Sequence, residues 1–294
     1  MKFKYLLQLA ALSALWGASF LLTRVAAPDL GPNLTAFARM LLATATLTLI
    51  MRAVRQPWPW QHWRELILLG VLAVVGPHLL YAWAALNLPA GYGALLSVTS
   101  VMFGAFASAF MKQEVLTPAK ITGCLAGMVG AALVVKLGPV EPSATLVTAA
   151  FLCMGGAAFT GVSTPFLKRA TTHMEPLAIT AGMHLAALAL LAPGALHDLP
   201  SAHFTTNALG AVVVLGVVTS GMAYWLYMRV VRHVPPMAAL TSTFMSTGFG
   251  MLWAVLLLGE PVGMAMLAGG FLILLASLLV SGLNPFKLFF AQTG

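Results

Sequence analysis

The sequence predicts an all-α integral membrane protein of ten transmembrane helices, arranged as two inverted five-helix repeats. Three observations carry that prediction. Of the 294 residues, 60% are hydrophobic and 7% charged, with a mean hydropathy of +0.94, whereas a soluble domain carries about a quarter of its residues as charges. So few polar groups cannot cover a water-facing surface, and the exterior has to face lipid. Apolar runs of spanning length, about 20 residues each, recur along the whole chain and leave no soluble domain to assign. The basic residues, finally, sit in the gaps between runs and favour one side.

The first run, 5–27, starts directly after Lys2 and Lys4 and continues through Trp16, Gly17, Phe20 and Leu22. It is too long for the apolar core of a cleaved signal peptide and is read as a retained span. Asp29, Gly31 and Pro32 break the chain before the second span, 32–51. Pro57 and Pro59 precede the third, 65–86, beside Trp58, Trp60 and Trp63, which fit an interfacial aromatic belt. Pro89 introduces the fourth, 90–111, and Pro118 opens the fifth, 117–137. Gly138, Pro139 and Pro142 part the halves before the sixth, 145–167, which is followed by the seventh, 176–194. Pro200 precedes the eighth, 205–229, and Pro235-Pro236 the ninth, 236–259; the tenth covers 262–283.

With the N-terminus inside, the cytoplasmic segments hold twelve of the fifteen Lys and Arg residues. The outer segments hold only Arg24 and Lys136, and Arg39 falls within the second span. This positive-inside bias predicts an even number of crossings and cytoplasmic N- and C-termini, in a cell membrane of the bacterial inner-membrane kind. The formal charge of +8 thus reports topology rather than a phosphate-tracking patch, and no nucleic-acid partner is expected. Cys124 and Cys153 lie inside apolar runs without metal or redox spacing. There is no HExxH, no paired acidic motif, no clustered histidine ligand set and no nucleotide-binding loop, so neither an enzyme nor a metal or other cofactor is expected.

The halves, 1–140 (spans one to five) and 141–294 (spans six to ten), resemble each other at an offset of about 145 residues. Phe20 matches Phe166, Arg24 matches Arg169, Val74-Val75 match Val217-Val218, and Tyr81 matches Tyr224. Pro89, Glu114 and Gly123 match Pro235, Glu260 and Gly269 in the same order. Five crossings per half is an odd number, so the second half inserts upside down. Inverted repeats are the architecture of many secondary transporters, with the substrate at the repeat interface near the midplane. The expectation is therefore carriage of a small molecule by alternating access, for which one chain suffices as a monomer.

A family resemblance follows from particular residues. Ala14-Leu15-Trp16-Gly17-Ala18-Ser19-Phe20 resembles the first-helix signature of EamA-type members of the drug/metabolite transporter superfamily. Arg39 falls where those proteins often carry an arginine. Glu114 and Gly259-Glu260 look like the glutamates that close their fourth and ninth helices, followed by Gly123 and Gly269. The resemblance covers essentially the whole chain, as two tandem repeats. It implies a ten-helix transporter, usually an exporter of amino acids, other metabolites or toxic compounds. Its cavity would be lined largely by the third, fourth, eighth and ninth spans, with help from the first and sixth. The chain departs from the pattern at Val101 and Thr247, where a proline is frequent, and at His184, the second-half counterpart of Arg39. Sequence does not fix direction, so an importer of a vitamin or similar metabolite is the second reading; a non-transporting scaffold or membrane enzyme stands behind both.

Ionisable groups inside spans cost at least about 2.5–3.5 kcal/mol on insertion scales, which makes each a functional candidate. Arg39, about 12 Å into its helix, is either a countercharge for a carboxylate or phosphate or a scaffold arginine bonding helix-end carbonyls, the reading preferred here. His78 follows Gly76-Pro77, a pair that should disturb the third span, and shares a helical face with Tyr81 and Asn87. It is a candidate for substrate binding or proton coupling, with an interhelical hydrogen bond as the alternative; His184 is a second candidate for charge or coupling. Tyr224 repeats Tyr81 and is expected to line the cavity. Ser97, Ser100, Thr243, Ser246 and Thr247 offer hydroxyls to a ligand or to their own helix. No Asp or Glu lies deep in a span, so coupling through a buried carboxylate has no support, and zwitterionic, neutral or anionic substrates fit at least as well as cations.

Overall fold

The computed structural model describes residues 3–113, 115–137, 139–141, 143–224, 226 and 236–281, and all regular structure among them is helical. The first helix, α1 (Phe3–Leu30), ends where Gly31 takes φ 81°, a left-handed turn that lets Pro32 open α2 (Pro32–Ala53) at once. Asp198 closes this junction from far along the chain. Its Oδ2 accepts from the backbone N–H of Asn33 at 2.8 Å and of Leu34 at 3.3 Å, and its Oδ1 accepts from Asn33 Nδ2 at 2.9 Å. A carboxylate at a helix N-terminus meets both the orphan donors and the positive end of the dipole.

The third apolar rod is composite. A short α3 (Trp63–Leu69) passes into a π-helical stretch, π1 (Gly70–Val75), and then α4 (Gly76–Ala84). Pro77 has no N–H and its ring crowds the preceding turn, and the wider winding just before it accommodates both. The matching place in the second half is wound the same way: α10 (Thr206–Val213) runs into π2 (Val214–Met222), where Ser220 stands at the position of Pro77. The fourth rod is also broken, into α5 (Ala90–Ser97) and α6 (Ser100–Phe110). At the break the chain tightens to three-residue hydrogen bonds, Val98 to Leu95, Thr99 to Leu96 and Val101 to Val98. The Thr99 hydroxyl adds a bond to the Leu96 carbonyl at 2.6 Å. The interruption expected from a proline at 101 is thus built without one.

The remaining helices are α7 (Pro118–Leu137), α8 (Ala144–Ala170), α9 (Pro176–Asp198), α11 (Pro236–Leu258) and α12 (Met264–Ser281). Six stretches among the described residues are long and apolar enough to cross a membrane: Ala10–Leu30, Pro32–Ala53, Trp60–Ala84, Ala90–Phe110, Ala144–Leu167 and Pro176–Ser201. Shorter apolar helical stretches cover Pro118–Val134, Thr206–Met222, Met245–Leu258 and Met264–Ala276. Large apolar side chains such as Leu49, Phe110, Phe151 and Phe271 point outward, as lipid contact requires. The chain is a multi-pass membrane protein.

The main helix pairs join the two halves: α1 with α11, α2 with α9, α4 and α6 with α8, and α7 with α12. Glycine sets the closest crossings. At Gly17 a Cβ would lie 2.6 Å from the Ser246 carbonyl and 2.7 Å from Gly250 N, so α1 and α11 meet backbone to backbone. At Gly161 a Cβ would meet the Ser100 carbonyl and lie 2.6 Å from Gly104 N, which brings α8 equally close to α6. The second crossing repeats the first at the offset that relates the halves. Gly127 of α7 lies against Met102 of α6.

Two charged residues secure the α4–α5 connection. Arg24 Nη1 donates to the Ala85 and Leu86 carbonyls at 2.5 and 2.7 Å, at the negative end of α4. Glu260 accepts from the N–H groups of Ala90 and Gly91 at 2.7 and 2.9 Å, at the positive end of α5. Glu114, its counterpart in the sequence, lies outside the described residues.

Candidate functional site

A cavity of about 270 Å³ opens inside the bundle, with walls from both halves. Helix α1 contributes Trp16, Ser19, Phe20 and Thr23, and α2 contributes Arg39. Behind the π1 winding, α4 presents Pro77, His78 and Tyr81. The α5–α6 break supplies Ser97 and Ser100, while Thr160 of α8, Tyr224 and Ser246 of α11 complete the wall from the second half. Both glycine crossings adjoin it, because the backbones of Ser246 and Ser100 are the groups that Gly17 and Gly161 touch.

Arg39 is 9% exposed, and its Nε donates to the Ser220 hydroxyl at 2.8 Å. The π2 winding therefore has a visible consequence: it brings Ser220, at the position of Pro77, to the arginine on the cavity wall. Among the described residues no carboxylate forms an ion pair with Arg39, so the guanidinium retains a positive charge facing the cavity in surroundings of low dielectric. The two nitrogens of His78 are buried without a hydrogen-bond partner among the described residues, as is the Ser19 hydroxyl. Unpartnered buried polar atoms cost about 1–3 kcal/mol each, and here they cluster at a cavity.

Aromatic rings line the rest. Phe20 and Tyr81 meet edge to face at 5.5 Å, and Tyr81 lies against Gly156, where a Cβ would come within 2.8 Å of its ring. Tyr224 packs edge-on against Trp16 at 5.9 Å and against His184 at 5.2 Å. His184 is fully buried one layer behind the wall, with Nδ1 donating to the Thr180 carbonyl at 2.7 Å.

The profile of the EamA-like transporter family matches residues 3–136 and again 147–282. The chain belongs to the EamA-like transporter family. This places it among membrane transporters of the drug/metabolite type, with a small-molecule substrate and a lipid surround. A solved structure titled "Crystal structure of protein" is similar over 97% of this chain and 100% of its own, at 21% identity and a TM-score of 0.67; that likeness concerns the fold. No curated protein sequence matches the chain.

Of the residues singled out in the sequence, Arg39, His78, Tyr81, Ser97, Ser100, Tyr224 and Ser246 come together at this cavity. Three others, Asn87, Thr247 and His184, are not among its lining residues, and a fourth, Thr243, cannot be placed. Asn87 lies in the exposed turn beyond α4: the helix ends at Ala84, so helical spacing no longer relates it to His78. Thr247 is buried and its hydroxyl reaches the Ala94 carbonyl at 3.4 Å. The Thr243 side chain lies outside the described residues, and His184 stands behind Tyr224. Sequence reasoning did not assign Ser19, Thr23, Thr160 or Ser220 to the site. Their signal was weak, since a hydroxyl four residues after a carbonyl is usually satisfied by its own helix, as Thr23 and Thr160 are by Ser19 and Gly156.

Proposed function

We propose that this EamA-like protein is a secondary-active transporter, exporting amino acids or other small metabolites by alternating access between inverted repeats, 1–140 and 141–294. The observation that carries the reading is the cavity wall itself: among the described residues a single cation, Arg39, faces a chamber of aromatic rings and hydroxyls contributed by both halves. A carboxylate can pair with the guanidinium, an apolar or aromatic body can stack on Trp16, Phe20, Tyr81 or Tyr224, and an amino or hydroxyl group can use His78 and the serines. The reading includes ten crossings, cytoplasmic termini and residence in a bacterial inner membrane, supported by the positive-inside bias. Import of a vitamin or similar metabolite uses the same cavity with the opposite driving gradient, because direction follows from coupling rather than from wall chemistry.

The test is counterflow in proteoliposomes with labelled amino acids, vitamins and organic cations, with and without a proton gradient. Saturable counterflow of carboxylate-bearing solutes is expected, and carriage of organic cations alone would defeat the proposal. Tyr81→Ala, Tyr224→Ala and His78→Ala should each lower transport about tenfold, equivalent to about 1.4 kcal/mol, while leaving membrane insertion unchanged. Wild-type rates in all three would remove the site assignment while leaving the family membership intact.

A further inference from the structure

At the end of the bundle where α3 begins and α8 ends, three side chains unrelated to the cavity converge. His62 and Glu65 are three residues apart, at the 3-10 turn Trp60–His62 and the first turn of α3. His173 comes from the tight turn after α8, held by backbone bonds from Thr172 to Arg169 and from His173 to Ala170. His173 Nε2 lies 2.9 Å from Glu65 Oε2, and the rings of His62 and His173 are 5.1 Å apart. One ligand atom from each residue falls within 4.8 Å of the others. Sequence spacing gave no metal motif, because the third member is supplied from more than a hundred positions away.

We infer that His62, Glu65 and His173 form a site for a borderline transition-metal ion of the Zn²⁺, Ni²⁺ or Co²⁺ class. Two imidazoles and one carboxylate are the donor set such ions select over the oxygen-only sets that suit Mg²⁺ and Ca²⁺. On a tetrahedral ion with bonds of about 2.0–2.1 Å the donors stand roughly 3.4 Å apart, so side-chain rotation alone closes the present set. The orientation of His173 is already prepared. The Thr172 hydroxyl donates to the Arg169 carbonyl at 2.8 Å, so its oxygen accepts from His173 Nδ1 at 3.3 Å and leaves Nε2 turned toward Glu65. Nε2 would then bind an ion beside the Glu65 carboxylate, with Thr172 fixing the ring from behind. The side chains of His173 and Glu65 are 38% and 30% exposed, which leaves room for water in the fourth position.

The site bridges the two family-matched segments, since His62 and Glu65 belong to 3–136 and His173 to 147–282. An ion bound there ties α3 to the α8–α9 connection. If this end must open in each cycle, as the alternating access proposed above requires, the ion holds it shut and arrests turnover. Glu65 and His173 also line a cavity of about 490 Å³, together with Arg64 and Arg169, through which an ion can reach the site.

The experiment titrates tag-free, purified full-length protein with Zn²⁺ alone by calorimetry, beside His62→Ala, Glu65→Gln, His173→Ala and Thr172→Ala. His197→Ala, at the far end of α9, serves as the control histidine. One Zn²⁺ per chain is expected for wild type and His197→Ala. Affinity should fall at least about tenfold in the three ligand variants and about tenfold in Thr172→Ala. Absence of saturable binding, or binding indifferent to the ligand variants, overturns the site. In proteoliposomes Zn²⁺ should stop counterflow of the wild type, reversibly with chelator, and spare His173→Ala; binding without arrest overturns the inference that the ion holds this end shut. Absence of counterflow before any Zn²⁺ is added counts against the transport reading instead, and the titration alone then decides the site.

Discussion

Replacing Arg39 with alanine should lower apparent affinity for a carboxylate-bearing solute by about 10- to 100-fold, because a hydrogen bond to a charged partner is worth about 1.5–3 kcal/mol. The loss should be selective. A neutral amide analogue, which cannot use the guanidinium charge, should lose far less between wild type and variant. Arg39→Lys keeps the charge but not the planar fork or the Nε bond to Ser220 at 2.8 Å, and should recover part of the carboxylate transport. Ser220→Ala separates the two roles open to this arginine. If Arg39 serves the scaffold, removing its cross-half partner should lower thermal stability and depress transport of both solutes alike. If it serves the substrate, Ser220→Ala should weaken carboxylate affinity through misorientation and leave the melting temperature close to wild type. Equal loss of the acid and its amide in Arg39→Ala would end the countercharge reading.

Arg39 also shows what the sequence could and could not reveal. A lone arginine eight residues into an apolar run is conspicuous in any chain with so few charges, and its place on the cavity wall follows from the cost of putting it against lipid. Its partner was not legible. Ser220 is one hydroxyl among many, and it reaches Arg39 only because π2 changes the winding and α2 packs against that stretch. The i→i+5 pattern has no local signature apart from Pro77, and the second-half copy lacks even that. Asn87 teaches the converse lesson. A helical spacing argument holds only while the helix lasts, and Arg24 fastens the carbonyls of Ala85 and Leu86 directly after α4 has ended. Glu260 was legible as a span-end residue, and bonding the first amides of α5 is what a carboxylate there can do without entering the membrane. The His62–Glu65–His173 group was invisible in the sequence, because the packing of α3 against α8 and α9, not spacing, makes it.

The second large effect concerns glycine, and its sign depends on position. Gly17→Ala and Gly161→Ala should destabilise the folded protein by about 1–3 kcal/mol, the usual range for overpacking, and toward the upper end. The obstacle at each is backbone on the facing helix: the Ser246 carbonyl and Gly250 N at one, the Ser100 carbonyl and Gly104 N at the other. Main chain cannot rotate aside as a methionine tip can, so the helices must separate. Gly210→Ala and Gly248→Ala meet nothing within 4 Å and should be neutral or stabilising by up to about 1 kcal/mol, since alanine is the better helix former. Thermal unfolding of the four variants in one detergent provides the comparison. Because the two crossings occupy equivalent places in the halves, they should fall together. They should also impair transport beyond what the loss of folded protein explains, since widening either crossing shifts Ser246 or Ser100 at the cavity wall. Equal melting temperatures for all four alanine variants would show that the bundle yields at these crossings, and close packing there would then no longer explain how the two halves hold the cavity's hydroxyls in place.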